Sequence, residues 1–137
     1  MTIIRDLSSS AVAAMMRTDL ANASRPPESL IEPFAFHGCD CGVASFKGQP
    51  PWERHTGGDE LIHVLAGGTR LTIRGAGDEI VRELRPGDLA VVPSGCWHRN
   101  YAPDGVTLFH MTPREGAQHS WDDPDQRPSK AAGRRRA

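Results

Sequence analysis

The chain lacks most of the features that mark membrane, secreted or nucleic-acid-binding proteins. It has 137 residues and only 3 cysteines, an odd number that favours reduced thiols over a disulfide framework. No apolar run approaches the roughly 18 residues that a membrane span needs, and Arg5 and Asp6 interrupt the start of any secretory signal. The net charge of -1 gives no reason to expect a nucleic-acid partner. We therefore predict a cytoplasmic, single-domain protein without membrane or nucleic-acid partners.

A helical pattern is found only near the N-terminus. Four apolar residues repeat at helical spacing after a run of cap-forming serines at 8–10, and Pro26 ends the pattern. They are Val12, Met15, Met16 and Leu20. We predict a short helix and lead-in over residues 1–29, a β-domain over 30–121, and a basic, disordered tail over 122–137.

Short segments rich in branched and aromatic residues dominate the middle of the chain. Gly- and Pro-containing turns separate them, which explains most of the 14 glycines and 11 prolines. Strands at such regular short spacing predict an all-β sandwich or barrel. The predicted strands are Leu30–Phe36, Val43–Lys47, Pro51–Thr56, Glu60–Ala66, Thr69–Arg74, Ile80–Leu84, Leu89–Val92, Trp97–Ala102 and Val106–Thr112.

Imidazole and carboxylate groups gather on three of these strands. Because side chains alternate along a strand, Glu53 and His55 share one face. A hairpin across the following two-glycine turn would bring Glu60 back towards His55, and His98 would arrive from a separate strand. Two imidazoles and a carboxylate suit a first-row divalent metal, and a facial set of this kind leaves open positions for substrate or dioxygen.

The spacing of these residues resembles the paired motifs of the cupin superfamily of small β-barrels. In the first motif four residues separate a histidine from a glutamate, and six more separate that glutamate from a glycine. The second reads glycine, five residues, Pro-x-Gly, two residues and histidine. The matching residues are His55, Glu60 and Gly67 in the first motif, and Gly87, Pro93, Gly95 and His98 in the second. The resemblance extends from about Phe34 to Thr112.

The resemblance implies a double-stranded β-helix, or jelly roll, that binds a metal through His55, Glu60 and His98. Where the family usually has another histidine, this chain has Glu53. Glu53 is thus a carboxylate ligand, a catalytic general base, or an outward residue in an ion pair. The asparagine that ends the second motif is also absent, since Ala102 stands there. The carboxylates favour Fe(II) or Mn, with Zn and Ni also compatible.

The first functional hypothesis is a metal-dependent dioxygenase that acts on a small organic molecule, with Glu53 as the catalytic residue. The alternatives are an isomerase or lyase on a sugar-like or acidic substrate, and a non-catalytic ligand-binding or sensor barrel. The resemblance also implies a homodimer that forms through edge strands. Four arginines are candidates for a fork that binds a substrate carboxylate. They are Arg54, Arg70, Arg74 and Arg99, and strand alternation turns most of them outward.

The wall of the predicted cavity is apolar. Strand alternation selects Ile62, Val64, Leu71, Ile73, Val91 and Phe109 as the inward residues. We predict that the strands Trp97–Ala102 and Val106–Thr112 form a hairpin through the turn at 103–105. Its simple register turns Phe109 inward and His110 outward, and a single bulge would exchange them. A largely apolar wall beside a few polar groups is typical of a site for a small molecule.

Overall fold

The computed structural model describes residues 2–8, 11–12 and 32–124. Within these ranges the chain forms nine β-strands, and residues 11–12 are helical. The strands are β1 (Phe34–Phe36), β2 (Cys39–Gly48), β3 (Trp52–His55), β4 (Glu60–Gly67), β5 (Thr69–Arg74), β6 (Glu79–Leu84), β7 (Leu89–Val92), β8 (Trp97–Pro113) and β9 (Ala117–Ser120).

Strand β8 organises the sheet. Its first part pairs with β5 and, at His98, with β3. Its second part pairs with β2 and β4. All these pairings are antiparallel, and β8 therefore joins two curled layers, β6-β5-β8-β3-β9 and β1-β2-β8-β4-β7. The all-β, cupin-type barrel predicted from the sequence is confirmed.

The two layers enclose the apolar core. Ile62, Val64 and Leu71 are buried, as strand alternation predicts. Two of the residues predicted to face inward, Val91 and Phe109, do not face the core. Val91 is 51% exposed, whereas its neighbour Val92 is 2% exposed and lies opposite the buried Glu60. The error at β7 is one residue of register, which turns every side chain of a strand to the other face.

The predicted hairpin between 97–102 and 106–112 is also wrong, because β8 runs through this stretch as one strand. Gly105 has a φ of +97° in β8, and the register with β2 shifts nearby. His110 therefore lies opposite the buried Ile62 on the inner face. Phe109 faces the other way and stacks on Phe34 at 6.4 Å between ring centroids.

The N-terminal helix is not confirmed. Of the residues that predict it, Ser8 and Val12 are described, and the Val12 N–H donates to the Ser8 carbonyl at 2.9 Å. Met15, Met16, Leu20 and Pro26 lie outside the described residues, as do 125–137 of the predicted tail. In the part of the chain that is described, no helix is long and apolar enough to cross a membrane.

Candidate metal centre

The turn of the second sequence motif holds the backbone of His55. The Gly95 N–H donates to the His55 carbonyl at 2.7 Å, and the Ser94 hydroxyl donates to the same oxygen at 3.3 Å. Gly95 has a φ of +82°, a left-handed conformation that glycine adopts without strain. Asp59 completes the connection, since its carboxylate accepts the Ser94 N–H at 2.8 Å. The two motifs thus fold against each other and fix the end of β3.

His55 and Glu60 come from different layers of the barrel. The hairpin predicted between β3 and β4 is wrong, because β3 pairs with β8 and β9 while β4 pairs with β7 and β8. The side chains nevertheless meet, since both strands turn a face to the barrel interior. Both residues are buried, at 4% and 6% exposure.

His98 enters from β8 and is 1% exposed. Its Nδ1 lies 3.3 Å from the Cys96 carbonyl oxygen, which accepts the Nδ1–H of the ring. In the neutral imidazole this contact leaves the lone pair on Nε2. An outer hydrogen bond of this kind is the usual way in which a ligating histidine is oriented.

The three buried side chains converge on one point. Glu60 Oε1 lies 2.9 Å from His98 Nε2 and 3.5 Å from His55 Nε2. The two imidazole rings are 5.4 Å apart between centroids and tilted by 41°. Within the described chain, neither His55 Nε2 nor His98 Nε2 has a hydrogen-bond partner. Buried ring nitrogens without a partner, aimed at a carboxylate, fit a bound cation.

Glu53 also points into the barrel. Its Oε1 lies 3.9 Å from His98 Nε2, and Glu53, His55 and His98 each offer a ligand atom within 4.8 Å of the other two. Its Oε2 accepts a hydrogen bond from His119 Nε2 at 2.9 Å. Glu53 is thus not turned away from the cavity, although its carboxylate does form an ion pair, with His119. Its position is compatible with a carboxylate ligand and with a general base.

The electrostatics of the cluster keep Glu60 ionised. Burial alone would raise the pKa of Glu60, but the imidazoles of His55 and His98 outweigh burial and hold that pKa far below its usual range. For His98, burial would lower the pKa, and the Glu60 and Glu53 carboxylates more than offset it, so the pKa rises. An ionised, acceptor-only carboxylate is thus present at neutral pH for a cation to bind.

A hydroxyl and a further imidazole support Glu60 from behind. The Thr112 hydroxyl donates to Glu60 Oε2 at 2.6 Å, and His110 Nδ1 lies 2.8 Å from the same Thr112 oxygen. Because Thr112 has one proton and gives it to Glu60, the contact with His110 is one in which Nδ1–H donates. This chain of bonds leaves Glu60 Oε1 free of hydrogen bonds from Thr112 and oriented towards the two histidines.

Removing the Thr112 hydroxyl should weaken metal binding without unfolding the barrel. We expect Thr112→Val to lower the affinity for Mn(II) or Co(II) by about tenfold, because outer hydrogen bonds orient ligating carboxylates. Isothermal titration of the metal-free protein measures the effect. Thr107→Val is the matched control, since Thr107 is a buried β8 threonine whose hydroxyl donates to Ser45, away from the cluster. Equal affinities in the two variants would contradict this role of Thr112.

A cavity of about 260 Å³ opens beside the cluster. Among the described residues that line it, none is arginine or lysine. They are Asp40, Ala44, Phe46, Pro50, Glu53, Glu60, Ile62, Asn100, Leu108, His110 and Thr112. The cavity wall is therefore apolar with a carboxylate-rich side.

The four arginines considered as a carboxylate fork are engaged elsewhere. The guanidinium of Arg54 lies over the Trp97 ring at 4.6 Å, and those of Arg74 and Arg99 lie over Trp52 at 4.2 and 5.6 Å. In a separate pair, Arg70 Nε donates to Glu83 at 2.6 Å. None of these side chains reaches the cavity wall, as strand alternation indicates for most of them.

Comparison with known proteins agrees with this architecture. Residues 45–112 match the Cupin_2 family, described as a cupin domain. No curated protein sequence matches the chain. Among solved structures, a cupin-2 domain protein from Shewanella frigidimarina superimposes with a TM-score of 0.56 at 19% identity, over 78% of this chain and 93% of that one.

Two enzymes share the same fold. An oxalate oxidase in complex with the substrate analogue glycolate aligns with a TM-score of 0.57 at 19% identity, over 71% of this chain and 57% of that one. Hydroquinone 1,2-dioxygenase in complex with Cd²⁺ and 4-hydroxybenzonitrile aligns with a TM-score of 0.54 at 21% identity, over 69% of each chain. At these identities the likeness concerns the fold alone.

Proposed function

The chain belongs to the cupin superfamily, and from its buried cluster we propose that it is a metal-dependent enzyme acting on a small organic molecule. One observation carries the proposal: His55 Nε2 and His98 Nε2 are buried, lack hydrogen-bond partners within the described chain, and lie within 3.5 Å of the ionised Glu60. Such an arrangement is costly in a protein without a cation, because buried polar atoms normally have partners.

We propose His55, Glu60 and His98 as the ligands and Fe(II) or Mn(II) as the ion. Two imidazoles and a carboxylate form the facial set of non-haem Fe(II) oxygenases, and the additional carboxylate of Glu53 makes the site harder still. A dioxygenase is accordingly the reaction class that we propose. The fold is compatible with this reaction class, since a hydroquinone 1,2-dioxygenase has a similar one.

The side chains of this protein divide the work. When bound, the ion would supply a centre at which substrate and dioxygen meet. Thr112 and His110 keep Glu60 in its ligating orientation. Glu53, held by His119, accepts or returns a substrate proton at Oε1. Ile62 and Leu108 are buried on the cavity wall and exclude water from the reacting groups.

The test is anaerobic loading with Fe(II) followed by measurement of oxygen uptake. We expect near one equivalent of bound metal per chain and oxygen consumption on addition of hydroquinone or a related phenol. Bound metal without turnover of any tested substrate would favour the non-catalytic ligand-binding barrel. No affinity for Fe(II), Mn(II), Co(II) or Zn(II) would end the metal-dependent account.

A further inference from the structure

We infer that the cavity selects an uncharged, single-ring or similarly small molecule with a hydroxyl group, and that it discriminates against dianions such as oxalate. The inference rests on the proposed metal centre and names the substrate class of that site. Three features of the described residues carry it: the charge of the cluster, the hydrogen-bonding state of His110, and the apolar wall.

The charge of the centre is the first feature. A divalent ion held by His55, His98, Glu60 and the nearby Glu53 has no net charge, since the two carboxylates cancel the ion. With the usual three histidines and one glutamate of the family, the same centre would carry +1. Asp40 on the cavity wall is paired with Arg114 at 3.0 Å, and no described lining residue is arginine or lysine. A dianion therefore gains less electrostatic attraction from this neutral centre than from one that carries +1.

The state of His110 is the second feature. Because the Thr112 proton goes to Glu60, His110 donates through Nδ1, and its Nε2 is then the unprotonated nitrogen. Burial also lowers the pKa of His110, which favours the neutral ring. The ring lines the cavity, and no hydrogen bond within the described chain occupies Nε2. An acceptor in this place is suited to a ligand O–H or N–H, and it offers nothing to a carboxylate.

The apolar wall is the third feature. Ala44, Phe46, Ile62 and Leu108 cover the part of the cavity away from the carboxylates. All four are at least 94% buried and belong to the core of the barrel. A volume of about 260 Å³ accommodates one ring with small substituents. The apolar body of the ligand is expected against this wall, with its hydroxyl directed to His110 and the metal centre.

The experiment compares three probes on the Mn(II)-loaded protein: phenol, its methyl ether anisole, and oxalate. Titration calorimetry measures binding without any requirement for turnover. We expect phenol to bind about tenfold more tightly than anisole and than oxalate, because anisole has no proton to donate and oxalate meets a centre without net positive charge. His110→Phe should abolish the difference in affinity between phenol and anisole, because it removes the acceptor for the phenol O–H.

Glu53→His tests the charge argument. The variant replaces a carboxylate by a neutral imidazole and so removes one negative charge, and oxalate affinity should therefore rise by about tenfold. Glu53→Gln is the second variant, since it removes the negative charge with almost no change of volume. Glu53→Gln should raise the oxalate affinity as well, even if the histidine variant folds poorly.

The outcomes separate this inference from the proposed function. If metal binds but oxalate has a higher affinity than phenol, and neither Glu53 variant changes the oxalate affinity, the inference fails and the metal centre stands. If no metal binds, the proposed function fails. The comparison of phenol, anisole and oxalate on the metal-free protein still decides the inference, because Asp40, Glu53 and His110 belong to the chain itself.

Discussion

Replacing His98 by alanine should abolish specific metal binding. We expect a loss of about 100-fold or more in affinity for Mn(II) or Co(II), because even outer-shell partners of a metal ligand cost 10–100-fold when they are removed. His98 is 1% exposed and its Nε2 lies 2.9 Å from Glu60 Oε1, so its loss removes a ligand and leaves a buried carboxylate without its nearest imidazole. His55→Ala should behave in the same way.

His63→Ala is the control for these variants. His63 lies on β4 beside Glu60 and Ile62, but it is turned to the opposite face, where it pairs with Phe109 and Leu89. Its removal should leave metal affinity within about twofold of the wild type, because its half-buried side chain is turned away from the cluster. Metal binding that survives in both His55→Ala and His98→Ala would contradict the proposed ligand set.

The second large effect concerns stability and a single glycine. Gly67→Ala should lower the free energy of unfolding by about 2–5 kcal/mol, the sum of a left-handed backbone strain and an overpacked contact. Gly67 has a φ of +72° at the end of β4, and a methyl group there would strike the Gly105 carbonyl of β8. The contact lies between the strand that carries Glu60 and the strand that carries His98.

Two other glycines separate the cost of backbone strain from the cost of the steric contact. Gly48 has a φ of +98° but open space around its Cα, so Gly48→Ala should cost only the strain, about 1–2 kcal/mol. At Gly77 a methyl group meets nothing within 4 Å, and Gly77→Ala should be close to neutral or slightly stabilising. Denaturant unfolding of the three variants gives the comparison. Similar losses at Gly67 and Gly48 would rule out the steric contribution at Gly67.

The resemblance to the paired cupin motifs is what placed His55, Glu60 and His98 together, since the hairpin predicted between β3 and β4 is wrong. Local signals fixed the direction of single side chains. Alternation places Glu60, Ile62 and Val64 on one face of β4, and all three are buried. The Pro-x-Gly turn before His98 requires no knowledge of distant contacts, since Gly95 adopts the left-handed conformation that such a turn demands. The spacing between the two motifs then suffices to indicate that the strands meet.

The errors came from pairings that no local signal fixes. The path of β8 across both layers, and not a hairpin at 103–105, decides that His110 faces inward and Phe109 outward. Likewise β9 was missed, because Ala117–Ser120 contains no branched or aromatic residue. With it went His119, which lies opposite Glu53 and holds its carboxylate. The glycine at position 116 is the turn signal that precedes β9, and its φ of +80° in the structure is typical of a turn.

The most direct measurement is anomalous diffraction from crystals of the Mn(II)-loaded protein, recorded above and below the manganese edge. The account predicts one strong anomalous peak inside the barrel, about 2.0–2.3 Å from His55 Nε2, His98 Nε2 and a Glu60 oxygen. The same map would show whether Glu53 binds the ion or stands back from it. A peak elsewhere on the protein, or no peak between His55 and His98, would contradict the account.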